Sequence, residues 1–267
     1  MDRRPIGIFD SGFGGLTALK ALRQLLPGED LVYFADTGRM PYGPRPREEL
    51  FRMARQNLDF LATFGVKAIL AACGTVSSTA GSVLEDYPVP ALGVLKPAVE
   101  AMAAVPGEGP LAVLATSASI RSGQFTAPLQ SRCPGREVLG IACPEFVPLI
   151  EQGHIGRDDP VLADAVSRTL EPLREKKPGA VLLGCTHYGI IEEAIRRELG
   201  DVRLISAADC GAAALRDHLR ESGTCADAGA GETRFFISCE PGAFEAFASR
   251  YLETGPVHAE RVDPMEI

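Results

Sequence analysis

The sequence predicts an α/β protein of two similar domains, each a mainly parallel sheet flanked by helices, with the active site in the cleft between them. Three observations carry this. Short apolar runs recur along the chain, the segments between them have helical period, and the pattern of the first part returns in the second. Strands read as continuous apolar runs when helices cover both faces of a parallel sheet.

Taken in order, the strand-like runs are residues 6–9, 31–35, 66–72, 91–95, 111–115, 138–142, 180–183 and 202–205. Helical segments fall at 16–26, 47–64, 161–174 and 191–199. In the second of these, Leu50, Phe51, Ala54, Leu58 and Leu61 share one helix face. The stretch PIGIFDSGFGG from Pro5 is patterned like PLAVLATSASI from Pro110. Asp10 and Thr116 are 106 residues apart, and Cys73 and Cys185 are 112 apart. Such near-equal offsets point to two related units. The most linker-like stretch, GTCADAGAGE at 223–232, is expected to be a surface loop.

The 267 residues are 46% hydrophobic and 23% charged, the balance of a soluble globular chain with a sizeable core. The net charge of −8 is spread without a long single-sign block, which counts against a nucleic-acid or anionic-membrane partner. The N-terminus, MDRRPIGIFD, lacks the apolar region of a signal peptide. The longest uncharged run, 68–84, is broken by Gly, Ser and Thr and is too polar for a membrane span. A cytoplasmic location is therefore expected, with reduced cysteines.

The seven cysteines are an odd number and form no C-x-x-C, so neither a disulfide framework nor a zinc ribbon is indicated. Cys133, Cys143, Cys210, Cys225 and Cys239 read as packing or loop residues. Gly12, Gly14 and Gly15 follow a strand, but a dinucleotide fingerprint needs glycine where Thr17 stands. No P-loop occurs, no lysine reads as a PLP anchor, and Cys185 with His187 lacks a second ligand pair for a metal. No cofactor and no metal are expected.

Two strands end alike. Residues 68–77 read AILAACGTVS and residues 180–189 read AVLLGCTHYG, an apolar run leading into a cysteine and then hydroxyl-bearing residues. A packing cysteine belongs inside the run, whereas Cys73 and Cys185 stand at its mouth. In parallel sheets ligands bind there, beyond the carboxyl ends of the strands. A helix is expected after Cys73, with Thr75 or Ser77 as its cap. A thiol of ordinary pKa, about 8.5, is brought toward neutrality by a helix N-terminus or a cationic neighbour. One activated thiol reads as a nucleophile. Two at equivalent places in facing halves read as a base on one face of a substrate carbon and an acid on the other, the arrangement for racemisation or epimerisation.

With FDSGFGGLT (9–17), DTGRMPYG (36–43), AACGT (71–75), ATSASIRSGQF (115–125), LIEQG (149–153) and GCTHY (184–188) in this order, the chain resembles the glutamate racemases of the cofactor-independent aspartate/glutamate racemase superfamily. The matching pieces extend from residue 5 to about 210. The resemblance implies cofactor-free interconversion of L- and D-glutamate, supplying D-glutamate for peptidoglycan, with glutamate as the only partner required and a homodimer compatible with it. It implies that the last segment returns to complete the first domain, so that 1–95 with 207–267 form one domain and 96–206 the other. It implies Cys73 and Cys185 as the two bases. Asp10 beside Cys73, and His187 beside Cys185, match the groups that assist proton movement, with Glu151 a further candidate. Asp10, Ser11, Tyr42, Gly43, Gly74, Thr75, Thr186 and His187 match positions that hold the amino acid.

By residue type alone, Asp10 also fits a turn cap, His187 a satisfied half-buried histidine, and Tyr42-Gly43 simple turn chemistry. Packing leaves the parallel placement of the two cysteines unexplained. The chain departs from the family pattern at Gly74, where asparagine is usual. Glycine there either forgoes one contact, worth on the order of 1 kcal/mol, or makes room for a bulkier substrate. Gly189 replaces a usual proline, and Ser119 keeps the hydroxyl of a usual threonine. The rival readings are a racemase of aspartate or another acidic amino acid and a weakly active ligand-binding relative. A one-cysteine lyase or decarboxylase on this fold is disfavoured by the presence of both thiols.

Overall fold

The computed structural model describes residues 2–226 and 229–264. Asp227 and Ala228 of the linker-like stretch, and residues 1 and 265–267 of the expected first domain, lie outside the described residues. The strands are β1 (Ile6–Asp10), β2 (Leu31–Ala35), β3 (Ala68–Ala71), β4 (Ala91–Gly93), β5 (Leu111–Ala115), β6 (Val138–Ala142), β7 (Ala180–Leu183), β8 (Arg203–Ser206), β9 (Thr233–Ile237) and β10 (Ala259–Arg261). They form a six-stranded sheet, β10-β9-β2-β1-β3-β4, and a four-stranded sheet, β6-β5-β7-β8. Every pairing is parallel. All strand carboxyl ends of a sheet therefore lie along one edge, and Cys73 and Cys185 follow β3 and β7 there.

Side chains alternate between sheet faces. Ile6, Ile8 and Leu70 of the first sheet and Val113 and Leu182 of the second enter one shared core. The helices Leu16–Leu25, Leu95–Ala103 and Ala207–Glu221 pack together within it. Phe9, Ile69 and Ala71 face a second core under the helix Arg47–Ala62, which buries Leu50, Met53, Ala54, Leu58 and Leu61 at helical spacing. Leu114, Val181 and Leu183 face a third, closed by the helix Pro160–Lys176. Asp159 starts that helix, its carboxylate accepting from the N–H groups of Val161 at 2.9 Å and Leu162 at 3.1 Å ahead of a proline at the first turn.

The expected helical segments appear as Leu16–Leu25, Arg47–Ala62, Pro160–Lys176 and Glu192–Leu199. The strand expected at 91–95 ends at Gly93, because Leu95 already opens a helix. β9 and β10 go beyond the expectation: their outer residues are partly exposed, so neither shows a continuous apolar run. No helix among the described residues is long and apolar enough to cross a membrane.

Candidate active site

β3 and β7 each pass through a cysteine into a short helical turn. Cys73 itself, rather than the expected Thr75 or Ser77, is the N-cap of the helix Gly74–Thr79. Cys185 is the N-cap of the 3-10 turn Thr186–Gly189, and neither start carries a side-chain cap. Uncapped first-turn N–H groups carry partial positive charge and are suited to donate to an anion. Both starts open onto one cavity of about 460 Å³, a volume suited to a small molecule.

Ser11, Tyr42, Gly43, Cys73, Gly74, Thr75, Cys185, Thr186 and His187 line this cavity. Asp10 and Glu151 lie one layer back. Asp10 ends β1 fully buried; one carboxylate oxygen accepts from Gly12 N–H at 2.9 Å, and the other accepts from the Thr186 hydroxyl at 3.1 Å. It is thus both a turn cap and a link to the opposite half. Burial pushes its carboxyl above the ordinary range, against the neighbouring His187. The Cys73 thiol donates to Ser11 Oγ at 3.5 Å, and burial together with the Asp10 charge pushes it up to about 12.

His187 is 2% exposed, well past half-buried. Its Nδ1 lies 3.8 Å from Cys185 Sγ, and its Nε2 donates to Glu151 Oε1 at 2.6 Å. Burial alone would lower its pKa, but the contacts with Cys185 and Glu151 outweigh burial and hold it well above its ordinary value. Glu151 Oε1 also accepts from Phe13 N–H at 2.9 Å, tying the loop after β1 to the second half. Gly14 makes that approach feasible, since a Cβ there would stand 2.3 Å from His187 Nδ1.

The Tyr42 hydroxyl is engaged within its own half. That hydroxyl donates to the buried Asp36 and accepts from Asn57 Nδ2 at 3.0 Å. Asp36 also holds Arg39, at 2.8 Å, and the Ser238 hydroxyl, at 2.8 Å. Asp36→Asn is expected to lower unfolding stability by about 1.5–3 kcal/mol, the range for hydrogen bonds to a charged group. Denaturant unfolding checks it, and KM should rise with it because the loop carrying Tyr42 and Gly43 loosens. Among the described residues no group of three or more His, Cys, Asp or Glu side chains is arranged to hold a metal ion.

Residues 18–215 match the Asp/Glu/Hydantoin racemase family. The chain belongs to this family. A glutamate racemase of Thermoanaerobacter sp. (strain X514) is 38% identical over 253 residues, 94% of this chain and 94% of that protein. The crystal structure of the Francisella tularensis glutamate racemase in complex with D-glutamate superposes with a TM-score of 0.90 at 33% identity, covering 100% of both chains. That of the Thermus thermophilus glutamate racemase in complex with β-chloro-D-alanine gives 0.87 at 38% identity, again covering 100% of both.

In this racemase-family fold the cavity has walls that the sequence did not single out. Thr116, Arg121, Cys143 and Val147 line it; Cys143 is the buried core residue expected and also borders the cavity. Thr116 had a signal, following β5 as Ser11 follows β1. Its hydroxyl is 3.1 Å from that of Thr75, and the Ser78 hydroxyl donates to Ser119 at 2.9 Å, joining the two helix starts across the halves.

Proposed function

We propose that this protein is a glutamate racemase that moves the α-proton between Cys73 and Cys185. The observation that carries this is the convergence of the two thiols, from β3 of one sheet and β7 of the other, on one small cavity. Cys73, with its thiol up at about 12, stands as a proton donor at neutral pH. His187, 3.8 Å from Cys185 and held well above its ordinary pKa, is placed to keep as an imidazolium the proton that Cys185 gives up to become a base. In one direction Cys185 removes the α-proton and Cys73 protonates the opposite face; in the other the roles exchange. Glu151 acts through His187, as a positioning residue. Helix-start N–H groups and the Thr75 hydroxyl suit the substrate's carboxylates, while the Thr186 hydroxyl, which donates to Asp10, offers its lone pairs to the ammonium group with the Asp10 charge behind it.

Substrate identity rests on the relatives, which are named as glutamate racemases, one of them holding D-glutamate. The same reading places the protein in the cytoplasm, supplying D-glutamate for peptidoglycan. It divides the chain into domains 1–95 with 207–267 and 96–206, and takes the assembly as a homodimer, which light scattering of the purified protein checks.

The test is circular dichroism of L- and D-glutamate, and of aspartate, with purified protein in D₂O and no added cofactor. Interconversion of glutamate with deuterium at the product's α-carbon is expected. Inversion without deuterium would overturn solvent-linked proton transfer, and turnover of aspartate alone would overturn the substrate.

A further inference from the structure

The backbone segments that carry the two cysteines touch each other at Gly74. A Cβ built there would lie 2.2 Å from the carbonyl oxygen of Gly184, 3.3 Å from its carbonyl carbon and 3.5 Å from Cys185 Cα. All three neighbours are backbone, so none can swing aside as a long side chain does. Room for a Cβ comes only from moving the end of β7 away from the start of the helix Gly74–Thr79, by about 1 Å if ordinary contact is to be restored.

Nothing local demands glycine at this position. Its φ lies outside the left-handed region that other residues avoid. At the first position of a helix, alanine is the better helix former. The glycine is held against local preference by the contact across the cleft.

We propose that Gly74 is a positioning residue whose missing side chain sets the separation of the two thiol-bearing turns. This rests on the two-cysteine reading above, because the separation matters only if both thiols serve one carbon. The space that Gly74 leaves is filled by the opposite backbone and not by a bulkier substrate. An asparagine there therefore pushes the halves apart rather than adding a contact.

Displacing paired acid-base groups by about 1 Å costs on the order of 10²-fold in rate. Gly74→Ala and Gly74→Asn are expected to lower kcat by about that factor in both directions, with KM changed far less. Gly242→Ala is the control: Gly242 also begins a helix, Gly242–Leu252, but a Cβ there meets nothing within 4 Å. It should leave both constants unchanged. The experiment measures kcat and KM in each direction for wild type and the three variants, with thermal unfolding alongside. Folded Gly74→Ala protein with kcat near that of wild type overturns the proposal. If wild type itself fails to racemise glutamate, the reading of function falls instead. A crystal structure of the wild type with glutamate bound gives a second test that needs no folded variant. The Gly74–Gly184 contact should persist there, and a gap wide enough for a Cβ overturns the proposal.

Discussion

Alanine in place of Cys73 or of Cys185 is expected to end racemisation in both directions, by at least the roughly 10²–10⁴-fold that one acid-base group contributes. Each enantiomer needs a base on the face that carries its α-proton and an acid on the other. Removing either thiol therefore stops both directions, whichever way the reaction is started. Each substitution deletes one sulfur atom next to a cavity, so the fold should survive, and thermal unfolding separates lost chemistry from lost structure. The measurement is the rate of ellipticity change with L- and with D-glutamate. A Cys185→Ala protein of near-normal activity would return Cys185 to packing and revive a one-thiol mechanism.

The next largest effects belong to His187 and Asp10. His187→Asn removes the group 3.8 Å from Cys185 Sγ and should slow the direction in which Cys185 acts first, by roughly 10²–10⁴-fold. Asp10→Asn should slow the opposite direction, in which Cys73 acts first, because an amide cannot take up the proton that this thiol must shed before it acts as a base. The products are enantiomers, so the equilibrium constant stays at one and kcat/KM must fall equally both ways. Any asymmetry therefore shows in kcat and KM taken separately. If both variants run normally in both directions, Asp10 is only a turn cap and His187 only a packed histidine.

The same histidine carries a pH signature. Its folded pKa is raised above the ordinary value of about 6.5. The stability it contributes is then complete below about pH 6.5 and is lost as pH rises through the folded pKa. Wild type should exceed His187→Asn in Tm on the acid side, and the difference should shrink as the solution becomes alkaline. A difference that grows with pH would mean that His187 is held neutral.

Much of the site was readable from local pattern. A continuous apolar run followed by Cys-Gly-Thr or Cys-Thr-His states where a buried strand ends, because burial on both sheet faces and the helix start are short-range properties. Repetition of that pattern 112 residues later put two thiols at equivalent strand ends without any knowledge of distance. The eight strands of the two repeated units were legible for the same reason. β9 and β10 were not, because partly exposed strands at and near a sheet edge lack the uniform apolar signal, and the place of β9 is decided by pairing with β2, a strand about 200 residues earlier, with β10 added on its outer side.

By itself, then, the sequence determined the α/β class, the strand ends and the residue types that meet there, all set by burial and backbone preference over a few neighbours. Only the tertiary structure decided what those residues face. It turned the Tyr42 hydroxyl onto Asp36, set Glu151 behind His187, brought Cys143 to the cavity wall and laid the Gly184 carbonyl against Gly74. The first two are contacts within one half, made where loops fold back beside their own sheet, and the Gly184–Gly74 contact and the cavity depend on how the two sheets dock through their shared core. A shift of about 1 Å in that docking would change the cavity and the Gly184–Gly74 contact without altering any local pattern in the chain.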